Sequence, residues 1–394
     1  MSRKEKREEI KEHKSEPKKK ITIKLPNIKE LPKKEIIYLV VILIAIAVAL
    51  TFFNYSSIGL VINKSITDED VVKVDLIGSN NKIYSYWNEV LIADSFKIST
   101  YNKYGRKTWE IDMQGAVDAK IGTNDKFLQI INTDKSIVYI YNDKYETAQI
   151  RIDGKIISGY INSNGDSVIE YTTSGNKTVL AIYNKRGVAK YNVKLSNSTI
   201  GQYILSEDSK KLAYVEVNIN GISATSSLYL VEFKNSETEL KAKNVALEEN
   251  SLIYEIEFVG NNILYRTDKK IVKLNLNNQN IKATNFEFDE IISLDLDLNK
   301  YSYVKFENGK YLLGINSVGG KNKKEIEIGD IPKNYVYSNG KIYVSYQKEM
   351  AIYNDLKMKI KEYKSDMVIT KPVIIGNGND VAFLVSNKLI IFTI

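Results

Sequence analysis

Four neighbouring segments decide the fold of this chain: VDAKIG (117–122), FLQIIN (127–132), SIVYIYN (136–142) and TAQIRI (147–152). Each is short and rich in Ile, Val, Ala or Tyr, and polar residues interrupt it at strand spacing. Turn formers such as Asn124-Asp125 separate the segments, and such residues tolerate the positive φ that tight hairpins demand. The unit therefore reads as four consecutive antiparallel strands.

Working outward, the same unit recurs. One strand of each copy ends in an aromatic or aliphatic residue, usually followed by Asn: Tyr101-Asn102, Tyr141-Asn142, Tyr183-Asn184, Tyr229, Leu274-Asn275, Ile315-Asn316, Tyr353-Asn354 and Phe392. The intervals are 40, 42, 46, 45, 41, 38 and 39 residues. Four-stranded units at a period of about 40 residues are propeller blades. The expected fold is all-β, an eight-bladed β-propeller. A seven-bladed alternative would make one unit an insertion, around 218–252, where the interval stretches. The last unit shows only three strands, VITKPVII (368–375), DVAFLV (380–385) and KLIIFTI (388–394). A spare strand, VVKVDLI (71–77), precedes the first complete unit, and its pairing with the last blade would close the ring and cover an open edge.

The segment ISTYNKYGRKTWEI (98–111) resembles the blade repeat of quinoprotein alcohol dehydrogenase-like propellers, with Gly105 in the turn and Trp109 on the outer strand. Asn184, Gly187 and Tyr191 repeat the pattern more loosely. The resemblance implies a fold and a structural Trp109, wedged between blades. The enzymes of that group hold pyrroloquinoline quinone with calcium, a carboxylate and a vicinal disulfide. This chain has no cysteine, so it supplies no such disulfide. The overall plan also resembles an uncharacterised family of bacterial single-pass, membrane-anchored propellers, which implies no known reaction.

That plan rests on the N-terminal region. Residues 1–35 carry thirteen Lys or Arg against seven Asp or Glu, whereas the remainder carries 43 against 41. Ile36–Phe53 (IIYLVVILIAIAVALTFF) is almost pure hydrocarbon, and no charge occurs from Ile36 to Ile62. Eighteen such residues at about 1.5 Å each match the bilayer core, and exceed the h-region of a cleaved signal. The expectation is a basic cytoplasmic arm (1–35), a transmembrane helix (36–58), a linker (59–70) and a propeller (71–394). The positive-inside bias puts the arm in the cytoplasm and the propeller outside a bacterial plasma membrane. Lys18, Lys19, Lys20, Lys33 and Lys34 are candidates for anionic-lipid contact. The basic excess sits beside the span, so nucleic acid is not an expected partner.

Chemistry is limited by what is missing. Without cysteine there are no disulfides or thiolates, and the single histidine, His13, lies in the arm. A Ser-His-Asp triad or His-bound metal is thereby excluded from the propeller. Neither a cofactor nor a metal is expected. Carboxylates remain. Asp295 and Asp297 stand two apart on the expected inner strand ISLDLDL, so both would face the central channel. The turn Asn162-Ser163-Asn164-Gly165-Asp166 lacks the trailing Glu of a calcium loop and reads as a hairpin. The 27 tyrosines are expected mainly between blades. The longest stretches read as irregular, 218–227 and 242–252, would offer Ile222, Glu248 and Glu249 to a partner on the upper face. The expected role is a non-catalytic scaffold or recognition module that binds the membrane and another envelope protein. The alternatives are a sensor or binder of a glycan, peptide or ion and, last, a carboxylate-based hydrolase or lyase.

Overall fold

The computed structural model describes residues 64–394, apart from 68, 79, 114–118, 125, 176, 196–198, 221, 222, 234–239, 286–289, 296–299, 319–323, 355–358 and 377. They belong to one compact unit spanning 62–394. The basic arm and the apolar run lie outside the described residues. No helix among the described residues is long and apolar enough to cross a membrane.

The described strands form eight sheets, one per repeat, so the protein is an eight-bladed β-propeller. In blade 2 the sheet order is Lys120–Asn124, Phe127–Asn132, Ile137–Asn142 and Tyr145–Arg151, antiparallel throughout. Phe127–Asn132 is buried along its whole length, whereas Tyr145–Arg151 is mostly exposed. That gradient follows from radial packing: neighbouring blades cover both faces of the middle strands, and the outer strand meets water. First strands touch one another in most successive pairs of blades, which places them nearest the axis. The upper face carries the turns between second and third strands and the connections between blades. The lower face carries the other turns.

Blade 4 is a complete blade and not an insertion. Residues 218–227 and 242–252 are mostly strand, contrary to the irregular reading. Lys211–Asn220 and Ser223–Glu232 form a long hairpin, and Ala242–Glu249 pairs beside it. One side of this sheet carries Glu216, Asn218, Thr225, Ser227 and Glu249 together with Leu247, none of them buried, so polar residues there interrupt the apolar alternation.

The repeated tyrosine marks a backbone feature. Where the third strand pairs with the fourth, the register shifts by one residue at Tyr101, Tyr183, Tyr229 and Tyr353, and beside Tyr141 in blade 2. Such a bulge bends the outer strand and raises its twist. Asn102 and Asn184, which follow Tyr101 and Tyr183, build the next turn, and Asn162 builds the same kind of turn after the first strand of blade 3. Asn102, Asn162 and Asn184 each accept, through the side-chain oxygen, the amides two and four residues on. The glycine three residues on, Gly105, Gly165 or Gly187, has φ of 74°, 82° or 75°, a region costly for other residues.

Val72–Asp75 pairs antiparallel with Lys388–Thr393 and forms the outer strand of blade 8. Just before it, Lys64–Ser65 adds a fifth strand to blade 7, parallel to Lys359–Lys364. The chain thus enters the propeller from the lower side and spans the boundary between blades 7 and 8. Ile66 is buried there among Tyr343, Ile352, Phe383 and Phe392, with Val71 packed against them.

Candidate binding surfaces

A cleft of 1040 Å³ opens on the upper face between blades 7 and 8. Its floor is sewn together by backbone. In blade 7 the turn at Gln347-Lys348 closes with Tyr346 N donating to Glu349 O at 2.7 Å. The carbonyls of Gln347 and Lys348 then accept Ile369 N at 3.0 Å and Ser365 N at 2.9 Å from the connection to blade 8. The opposite wall is the turn at Ser386-Asn387 together with Lys73, Asp75 and Leu76 of the closing strand. Lysines 348, 364 and 388 face the cleft beside Asp75, Asp330, Glu349 and Asp366. Lys364 is held by Glu362 at 2.7 Å, and Glu349 by Lys359 at 3.1 Å. Met367 stands at the rim, 57% exposed, and the next residue, Val368, is 42% exposed. Burial raises the Tyr346 hydroxyl, as does its hydrogen bond to Tyr353, so it is a neutral donor or acceptor.

Nearer the axis, polar side chains cross between blades. Ser158, on the inner strand of blade 3, hydrogen-bonds the Glu170 carboxylate and the Tyr203 hydroxyl of blade 4, both at 2.6 Å. Glu170 is buried, and desolvation raises its pKa. On the inner strand of blade 5, burial pushes Glu257 up to about 7, with the Glu255 charge adding to the effect. Glu255 itself pairs with Arg266 at 3.2 Å. Among the described residues no group of three or more carboxylates or histidines is placed to hold a metal ion.

The model of a family of unknown function, DUF5711, matches residues 54–393. The chain belongs to that family. No curated protein matches the sequence. Among solved structures the DUF5711 propeller is similar to apo AztD from Citrobacter koseri, at 10% identity and a TM-score of 0.50, covering 73% of this chain and 87% of that one. It also matches the WD40 domain of Neurospora crassa Pan2 (8% identity, TM-score 0.47, 84% of this chain and 97% of that one). Kuenenia stuttgartiensis hydrazine synthase matches at 10% identity and a TM-score of 0.42, over 81% and 97%. At these identities the likeness concerns the fold alone.

The DUF5711 propeller distributes the sequence candidates unevenly. Glu248 was expected at an exposed site but is 7% exposed. It lies on the side of its strand that faces blade 5, accepts the Tyr265 hydroxyl at 2.7 Å and pairs with Lys270 at 2.9 Å. Its charge is consumed in joining blades 4 and 5. Glu249, on the other side, is exposed. Asp295 ends the inner strand Glu290–Asp295 of blade 6, opposite Lys300. Ile222 and Asp297 lie outside the described residues, as do Lys18, Lys19, Lys20, Lys33 and Lys34.

The Asn162–Asp166 segment is a hairpin whose carboxylate accepts Lys185 N at 3.1 Å and pairs with Lys190 at 2.6 Å. Tyr301, Tyr303, Tyr337 and Tyr343 are buried. Trp109 meets Tyr141 of blade 2 edge-on at 5.4 Å. The cleft itself was missed, because one wall combines the blade 8 turn with Lys73, Asp75 and Leu76 from the other end of the propeller sequence. Glu257 was missed because IYEIEFV reads as an ordinary strand, and the desolvation of its carboxylate has no local signature.

Proposed function

We propose that this DUF5711 protein is a single-pass membrane protein of the bacterial envelope, with its propeller outside the plasma membrane. The propeller is a non-catalytic recognition module that binds another envelope protein through the upper face, at the cleft between blades 7 and 8. The cleft's composition carries this reading. Charges of both signs and the exposed Met367 border one opening, the mixture found at the edge and centre of protein interfaces. The uncharged run ahead of the propeller and the chain's approach from the lower side support the anchored arrangement, which leaves the upper face free. A second reading, a binder of a small ligand, draws on the cleft's volume, which is in the range of ligand sites.

Site-specific photocrosslinking in cells tests the choice. A photoreactive residue at Met367 or Lys348 is expected to give a discrete protein adduct, and one at Asn277 on the lower face of blade 5 is not. Adducts from Asn277 alone would refute the upper-face reading. A ligand-induced rise in thermal stability without any adduct would favour the small-ligand reading.

A further inference from the structure

The lower rim of blades 1–3 has a composition unlike the upper rim above it. In blade 1 the turn after the first strand holds Trp87 at φ 52° and 42% exposed. A bulky residue in that region is strained, and the surrounding structure must hold it there. Both flanks are fastened to blade 2. The buried Tyr86 donates its hydroxyl to Lys126 O at 3.0 Å, and Glu89 pairs with Lys144 at 3.0 Å. The indole is thereby held out into solvent. Neighbouring lower turns expose Tyr104, Tyr145 and Val188, at 73%, 76% and 58%.

Cations accompany these residues. Lys103, Arg106, Lys126, Lys185 and Arg186 are exposed on the same turns. None of them has a carboxylate partner among the described residues. The acids Glu89 and Asp166 are taken by Lys144 and Lys190, which leaves Asp143 and Glu146 among the described residues. The sequence adds Asp125 beside Lys126, so the five cations exceed the remaining acids. On the upper rim of the same blades, Asp94, Asp134 and Asp153 intersperse with Lys135, Lys155 and Lys177.

We infer that the lower rim of blades 1–3 rests on an anionic lipid surface. Trp87, Tyr104 and Tyr145 sit at headgroup depth, and the five cations meet lipid phosphates. Amphipathic rings favour that depth, and basic residues are drawn to anionic leaflets within a Debye length. The position of the chain's approach supports the partner. Lys64 enters from the lower side at blade 7, one blade away from this arc, and ten residues separate it from Phe53 at the end of the apolar run. The inference rests on the anchored reading above. It adds a second point of attachment, which fixes how the ring is tilted.

The two tryptophans supply the probe. The full chain carrying Trp109→Phe, so that Trp87 is the sole indole, is reconstituted into phosphatidylcholine vesicles with or without phosphatidylglycerol, each containing brominated acyl chains. Trp87 emission is expected to shift to shorter wavelength and to be quenched in the phosphatidylglycerol vesicles. Raised salt should reverse this, as should combined Lys103→Gln, Arg106→Gln, Lys126→Gln, Lys185→Gln and Arg186→Gln. The converse variant, Trp87→Phe, should show Trp109 emission unaffected by either lipid. Alkaline carbonate extraction separates the two ideas. If the chain stays in the membrane but Trp87 is unquenched, or equally quenched in both lipids, the rim contact is overturned and the anchor stands. If extraction releases the chain, the anchored reading falls and takes the rim contact with it.

Discussion

The Glu248 carboxylate accepts the Tyr265 hydroxyl at 2.7 Å across the boundary between blades 4 and 5. Both residues are buried, and Lys270 completes the group from the neighbouring strand. Tyr265→Phe is expected to destabilise the propeller by about 1.5–3 kcal/mol, the value of a hydrogen bond to a charged acceptor. Glu248→Ala should cost more, about 2–4 kcal/mol, because it strands a buried hydroxyl and unpairs Lys270. The double variant should cost less than the sum. Denaturant unfolding of the four proteins measures this. Additive effects would mean that the contact contributes nothing.

Glu257 gives a pH dependence of definite sign. Its folded-state pKa is raised from 4.5 to about 7, chiefly by burial. Between these values the folded protein binds more protons than the unfolded chain, so stability falls as pH rises. The contribution is complete below about pH 4.5 and is lost as pH passes 7, amounting to at most about 3 kcal/mol. Glu257→Gln should flatten this slope. Melting curves from pH 4.5 to 8 for both proteins are the check, and parallel curves would contradict the assignment.

Gly105 and Gly309 offer a matched pair. Both have positive φ, 74° and 78°. A Cβ on Gly105 would lie 2.6 Å from Val72 Cγ1 and 2.7 Å from Val74 Cγ2, whereas one on Gly309 meets nothing within 4 Å. Gly309→Ala should cost only the left-handed strain, about 1–2 kcal/mol. Gly105→Ala should add a clash of about 1–3 kcal/mol and loosen the closing strand. Hydrogen exchange at Val72–Asp75 would report it. Equal effects of the two substitutions would show that the closing strand does not bear on the blade 1 turn.

Removing residues 62–77 should open the ring. The deletion takes away Ile66 and Leu76, both buried, and the outer strand of blade 8. The expected product is protease-sensitive and self-associating, because it exposes a strand edge beside an unfilled boundary. Limited proteolysis and gel filtration against residues 62–394 decide it. A monomeric, resistant 78–394 fragment would show that closure does not depend on this segment.

The fold was legible because the repeat is backbone chemistry written in side chains. In blades 1, 3 and 7 a Tyr-Asn pair stands at a bulge, and Asn102 and Asn184 build the turn that follows. The stretches misread as irregular, 218–227 and 242–252, lack that legibility for a physical reason. One side of their strands is not buried, so Asn218, Thr225 and Ser227 interrupt the apolar alternation. Glu248 shows the second limit. Its acidic neighbour Glu249 suggests a surface, but the partners that bury it belong to another blade. That Asp295 belongs to an inner strand could be read from the repeat, whereas the lower-rim cations could be sorted only once the turns were assigned to faces.

The closing strand also orders events in time. Val72–Asp75 leaves the ribosome near the start of the propeller, yet its partner Lys388–Thr393 is made last. Until then the outer member of the eighth sheet has no strand to pair with, and the nascent ring has two unjoined ends. Closure is therefore the most non-local step of folding, and the slowest kind, since loop entropy is spent before contacts repay it. A protein carrying this seam spends the interval of its own synthesis with an adhesive edge exposed. Conditions that slow the final strands should favour exchange of closing strands between copies.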